Sequence, residues 1–277
     1  MTKVIDINSV PMVEREHVRE GAFYSQRLLA GEPGAPGNFS LQLVSTPNTY
    51  NSPRHRHNFD QVRYQIEGEF DFDTDGKMVP SSIAYFPEGT HYGPQSSASK
   101  SLSLVLQFGG ASKSGYLSSE QYERAMSELS ASGTFSKGVF TRIEKDGRKL
   151  NKDAYQAVWE HVNGRPLVYP PPRYGRPIFM SPAQFNWAAV QGHAGVRCKR
   201  LGEFSECSAR LALYRIEEGA SLRLEDNSIY FVLNGAGTVE DERFAVYATI
   251  HAKTGEHAIL AAREPAELLQ LGLPHLT

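Results

Sequence analysis

The sequence predicts an all-β protein: two antiparallel barrels joined by a short helical linker region. Three observations carry that expectation. Segments that alternate apolar and polar residues recur roughly every eight to twelve residues in the first part of the chain, separated by Gly, Pro, Asn and Asp. Helical spacing is confined to the middle. Beyond Phe185 short strands return in the same order, an internal repeat of about 100 residues.

Taken in order, Asn38–Ser45 reads as a strand with Phe39, Leu41 and Val44 near the inward phase. Gln61–Ile66 is the next, followed by a Glu67-Gly68 turn. Glu69–Asp73 puts Phe70 and Phe72 on one face and runs into Asp75-Gly76, a strong hairpin signal. Ser82–Phe86 and Leu102–Phe108 continue the series. Ser118 and Gln121 then form a capping box ahead of Tyr122, Met126 and Leu129 at helical spacing. A second amphipathic helix spans Asp153–Val162, with Tyr155, Val158, Trp159 and Val162 on one stripe and Gly164 as its stop. Tyr169–Pro177 is proline-rich and must be extended and stiff. Strands resume with Ala209–Ile216, Ser228–Leu233, Ala245–Ala252 and Glu267–Leu271. The expected domains are an N-terminal barrel over 1–115, a helical and Pro-rich connector over 116–178, and a C-terminal barrel over 179–277.

Composition narrows the class. The 277 residues are 40% hydrophobic and 22% charged, with no apolar run approaching a membrane span. With 29 basic against 31 acidic residues there is no basic stripe, so neither nucleic acid nor membrane is expected as a partner. The first residues lack an apolar signal core, and the expected location is the cytoplasm. Cys198 and Cys207 read as ordinary thiols.

The chemistry concentrates in Ser52–Gln61 and Phe86–His91. In a strand, His55 and His57 point to one side, and Gln61 shares their parity. His91 can add a third imidazole. Converging neutral imidazoles are what a mononuclear transition metal requires. Parity with Gln61 turns Arg63 inward, where its fork suits a substrate carboxylate or a structural ion pair. Tyr85 lines the pocket or is a core tyrosine. Arg63 and Tyr85 are the candidate catalytic residues.

Pro53–Gly68, with its His-x-His, resembles the first motif of the cupin superfamily. Ile83–His91, with its Pro-x-Gly followed closely by His, resembles the second. The two motifs cover about a sixth of the chain, and the C-terminal half is similar to a cupin only in strand rhythm. The resemblance implies a bicupin of double-stranded β-helix (jelly-roll) barrels, with a metal-binding N-terminal cupin and a degenerate C-terminal one. Leu224-Glu-Asp-Asn227 stands where a second His-x-His would be. Carried over residue by residue, His55, His57 and His91 are imidazole ligands. Gln61, where many cupins have glutamate, either coordinates or hydrogen-bonds a bound water. The implied cofactor is one divalent transition metal, Fe(II) favoured, with Mn, Ni, Co or Zn open. His-Arg-His followed by Arg-Tyr-x-x-Glu-Gly is similar to the motif of gentisate-type dioxygenases. The implied activity is therefore a dioxygenase acting on a small, anionic, oxygen-rich substrate. The alternatives are a non-redox isomerase, lyase or ring-opening cupin, and a non-catalytic small-molecule binder. Exposed sheet edges make a homodimer the expected assembly.

Overall fold

The computed structural model describes residues 2–16 and 22–276. The chain forms two compact units, Met12–Phe179 and Met1–Pro11 with Met180–Thr277. This differs from the sequence-based division in two ways. Residues 116–178 cluster with the strands before them rather than standing apart as a connector. The first eleven residues join the C-terminal strands, because Lys3–Ile5 pairs antiparallel with Thr249–Ala252.

In the first unit a seven-stranded sheet runs in the order Ile178–Met180, Ile83–Phe86, Phe59–Glu67, Ser101–Gly109, Phe39–Thr46, Ala22–Ala30, Val13–Glu16. A four-stranded sheet runs Asn51–Ser52, Gln95–Ser96, Phe70–Asp71, Lys77–Met78. Phe70, Phe72 and Met78 from the small sheet pack on Ala84 and Phe86 from the large one, with Tyr50 and Tyr92. The second unit repeats the plan. Its larger sheet runs Lys3–Ile5, Thr249–Ala252, Ser228–Asn234, Ala266–Gly272, Ala209–Ile216, Val196–Phe204, Ala188–Ala189. Its smaller sheet runs Ser221–Arg223, Ile259–Ala262, Gly237–Val239, Glu242–Phe244. Each strand of these two sheets has a counterpart at the same place in the other unit, so the repeat in the sequence is a repeat of topology; a three-stranded sheet of the first unit, Thr134–Ser136, Val139–Ile143 and Lys149–Asp153, has none.

Alternation sets the two faces of each strand. In Phe39–Thr46 the structure differs from the expected phase, since Val44 shares its face with Gln42 and Thr46 around a cavity. Leu41 and Leu43 lie buried on the other face. Helix α1 (Ser119–Ser130) has the expected capping box, and α2 (Ala154–Asn163) starts on the Asp153 carboxylate and ends at left-handed Gly164. Both helices pack around Phe59, burying Trp159, Val158, Leu129 and Tyr155. The Pro-rich segment lies against the loop after Ile83–Phe86. A Cβ on Gly89, at φ +77°, would come within 2.3 Å of the Pro170 carbonyl oxygen, so only glycine permits this approach.

Candidate functional site

A cavity of about 540 Å³ opens in the first unit, on the inner face of its larger sheet. Register explains its lining. Gln61 pairs with Gln107 and Arg63 with Val105 between adjacent strands, while Gln42 faces Val105 from the other side. These inner positions are mostly polar, where a packed core would be apolar. Tyr116 from the loop before α1, Tyr122 and Met126 from α1, and Tyr155 from α2 complete the wall. The helical segment, read from the sequence as a connector, is thus part of the site. Its capping box and stripes located the helices but carried no signal of what they would cover.

A chain of contacts crosses the floor. The His55 Nδ1–H donates to the Pro53 carbonyl at 2.6 Å, which leaves Nε2 as an acceptor 3.4 Å from the Gln95 amide nitrogen. Gln95 Oε1 accepts from Arg63 Nη1 at 2.9 Å. Set with its oxygen toward the guanidinium, the Gln61 amide accepts from Arg63 Nε at 2.8 Å and Nη2 at 3.2 Å. Gln61 in turn lies 2.8 Å from the Gln107 amide, and Gln107 lies 2.9 Å from the Tyr116 hydroxyl. Arg63 therefore sits half-buried among neutral partners, with the Phe70, Phe72 and Phe86 rings 5.2–5.4 Å away. A guanidinium has five N–H groups, and three are used here, leaving one on each terminal nitrogen. No described carboxylate pairs with it. At the mouth, Arg15 and Arg27 behave differently. Arg15 meets Glu123 at 2.9 Å, and Arg27 meets Glu123 at 2.6 Å and Glu120 at 3.0 Å, both glutamates on α1.

The expected residues divide sharply. His55 and His57 come together, their rings 4.9 Å apart and edge to face. His57 stacks on Phe59 at 4.3 Å, stands edge-on to Tyr155 at 5.4 Å, and borders the cavity. Gln61 and Arg63 share the inner face, as parity requires. His91 does not join them. The backbone pairs His55 with Tyr92, His55 N–H to Tyr92 O at 3.1 Å and Tyr92 N–H to His55 O at 2.9 Å. Directly paired residues share a face, so Tyr92 points inward and His91 outward. The Tyr92 ring is 4.7 Å from His55, whereas His91 is exposed. Desolvation and then the nearby Arg56 and Arg54 lower the His91 pKa.

Tyr85 is the second correction. It pairs with Val62, while Phe86 and Ala84 pair with Gln61 and Arg63, so Tyr85 belongs to the opposite face. There it joins a buried polar cluster. Asp60 accepts from the Glu88 N–H at 2.7 Å, and Arg173 of the Pro-rich segment meets Glu88 at 2.6 Å and Asp60 at 3.7 Å. Burial first, then Asp60, pushes the Tyr85 phenol far above its ordinary range. Burial, opposed by the Glu88 N–H, pushes the Asp60 carboxyl up to about 6.

The donor set does not fit a three-histidine metal centre. Two imidazoles converge, but the third inward position carries a phenol, and the Gln61 amide is engaged by Arg63 and Gln107. Among the described residues, no group of three or more His, Cys, Asp or Glu is placed to hold a metal ion.

No protein-family profile and no curated protein matches this sequence. Solved structures do. A "putative dioxygenase" of Nostoc punctiforme is similar over 99% of this chain and 83% of its own, at 13% identity and TM-score 0.67. The "Putative Glyoxylate Induced Protein" of Pseudomonas aeruginosa matches 100% of this chain and 90% of its own, at 11% identity and TM-score 0.60. Oxalate decarboxylase of Bacillus subtilis matches 98% and 76%, at 12% identity and TM-score 0.55. These neighbours are cupin-type proteins, and the fold of this chain is of that type. No described helix is long and apolar enough to cross a membrane.

Proposed function

We propose that this protein is a cupin-type enzyme whose first unit binds a small, oxygen-rich carboxylate and acts on it by proton transfer rather than by dioxygen chemistry. The observation that carries the reading is Arg63, a cation facing the cavity with two terminal N–H groups uncommitted and only neutral amides as partners. A carboxylate docked on that fork would gain two parallel charge-assisted hydrogen bonds. Gln95 and Gln61 hold the guanidinium plane from two sides, so little ordering is left to binding. Phe59, Tyr116 and Tyr155 supply flat apolar surface for the body of the substrate. His57 borders the same space, and its imidazole, able to accept and to donate a proton, is the candidate proton carrier. Isomerisation, elimination and ring opening are the reactions such a carboxylate-plus-imidazole site serves. The gentisate-type dioxygenase implied by the motif calls for three protein ligands around a chelated substrate, and the inward donors supply two imidazoles.

The test is calorimetric titration with a panel of small hydroxy, keto and aromatic carboxylates. Binding that is retained in His57→Ala and lost in Arg63→Ala supports the reading; equal affinity in Arg63→Ala overturns it. Oxygen uptake on dihydroxylated aromatic acids with added Fe(II) would replace it with the dioxygenase.

A further inference from the structure

We infer that the His55–His57 pair of this chain is not a metal-binding pair, and that a single residue, Tyr92, decides it. The inference concerns the same cavity as the carboxylate reading but stands on register, and metal uptake tests it with no carboxylate present.

Three observations converge. The two-way backbone pairing of His55 with Tyr92 fixes which side chain after Gly89 turns inward, and moving His91 there would need a one-residue slip of that bridge. Such a slip is opposed from outside. Gly89 approaches the Pro170 carbonyl, the Thr90 hydroxyl donates to the Tyr174 carbonyl at 3.0 Å, and Arg54 Nη1 donates to the Gly93 carbonyl at 2.6 Å. Secondly, the Tyr92 ring is built into the apolar cluster with Phe86 at 4.7 Å and Phe72 at 6.2 Å, and is 1% exposed. Thirdly, the Nδ1–H of His55 on Pro53 fixes its tautomer, and its Nε2 is turned toward Gln95 at 3.4 Å, the residue that orients Arg63. His55 is a positioning residue for that guanidinium, which supplies the positive charge a metal would bring.

The full-length chain, stripped with chelator, is titrated with Co(II) and Zn(II), and bound metal is counted together with the Co(II) ligand-field spectrum. The wild-type chain and His91→Ala are expected to retain no stoichiometric metal. Tyr92→His supplies the missing inward imidazole and is expected to take one equivalent, lost again when His57→Ala is added. A wild-type chain that binds one equivalent and loses it on His57→Ala overturns the inference. So does a folded Tyr92→His that binds none. Should Tyr92→His fail to fold, the wild-type and His57→Ala titrations decide alone, uptake overturning the inference and its absence upholding it.

Discussion

The two units share one strand plan and differ in what fills it. Aligned by the first residues of their central strands, Phe59 with Ser228, the inner positions Gln61, Arg63 and Gln42 of the first unit match Tyr230, Val232 and Tyr214 of the second. The second set packs with Val196, Ile216, Ile250 and Leu268 into a continuous apolar core. Its few polar atoms end on one another. Gln270, the counterpart of Gln107, donates to Glu225 at 3.1 Å, and the Tyr214 hydroxyl meets Glu225 at 3.3 Å. On the opposite face, Asp60 matches Ile229, which is fully buried. The lesson is that one topology tolerates either a packed interior or a polar cavity, and three or four inward residues choose. The hollow unit carries polar and charged groups that a stability-optimised interior would exclude, which is where function is expected to lie.

The comparison breaks first at its cationic position. Val232→Arg transplants the Arg63 charge into the filled unit without partners and is expected to cost about 3–5 kcal/mol, read by denaturant unfolding. A small loss would mean that the second interior is looser than its packing indicates. In the hollow unit the reverse change, Arg63→Ala, should leave folding nearly intact and weaken carboxylate binding by about 2–5 kcal/mol, or ~30-fold and more, by calorimetry. Arg63→Lys should recover part of that, since the charge stays and the fork goes.

The buried carboxyl separates the units by pH. Because Asp60 titrates near 6 in the folded chain and near 3.8 when unfolded, the native state holds a proton there that the unfolded state has released. Its contribution to stability is present below the unfolded value and declines as pH rises through about 6, on the order of 3 kcal/mol in all. Unfolding of Asp60→Asn compared with wild type at pH 4.5 and 7 should show the variant gaining on the wild type at the higher pH; parallel curves would remove Asp60 as the cause. The smallest effect is expected at the mouth. Glu123→Gln loosens α1 from Arg15 and Arg27, but Glu123 is 57% exposed, so the cost should stay below about 1 kcal/mol and shrink with salt. A larger, salt-independent loss in thermal unfolding would make α1 part of the core rather than a cover.

Much of the fold is legible in the amino-acid sequence. The spacing of apolar residues locates four adjacent strands of each larger sheet, Phe70–Asp71 of one smaller sheet, and both helices, because period two and period 3.6 are local properties of the backbone. The same parity rule puts His55, His57, Gln61 and Arg63 on one face, all within a single continuous segment. It fails at His91 and Tyr85 for one physical reason. Phase carries along a strand but not from one strand to the next, where it depends on which backbone groups pair across the gap. His55 pairs with Tyr92, and Val62 with Tyr85, and those two registers are set by contacts distant in sequence. The role of 116–178 is hidden likewise: the amphipathic stripes of α1 and α2 announce a buried face without naming what lies beneath. Sequence by itself thus determined the strand rhythm, the repeat and the inward set around Arg63. Tertiary structure alone decided that the third inward position holds a phenol, that helices wall the cavity, and that the first unit opens a cavity where the second packs an apolar core, because pairing register and packing volume are settled between segments rather than within them.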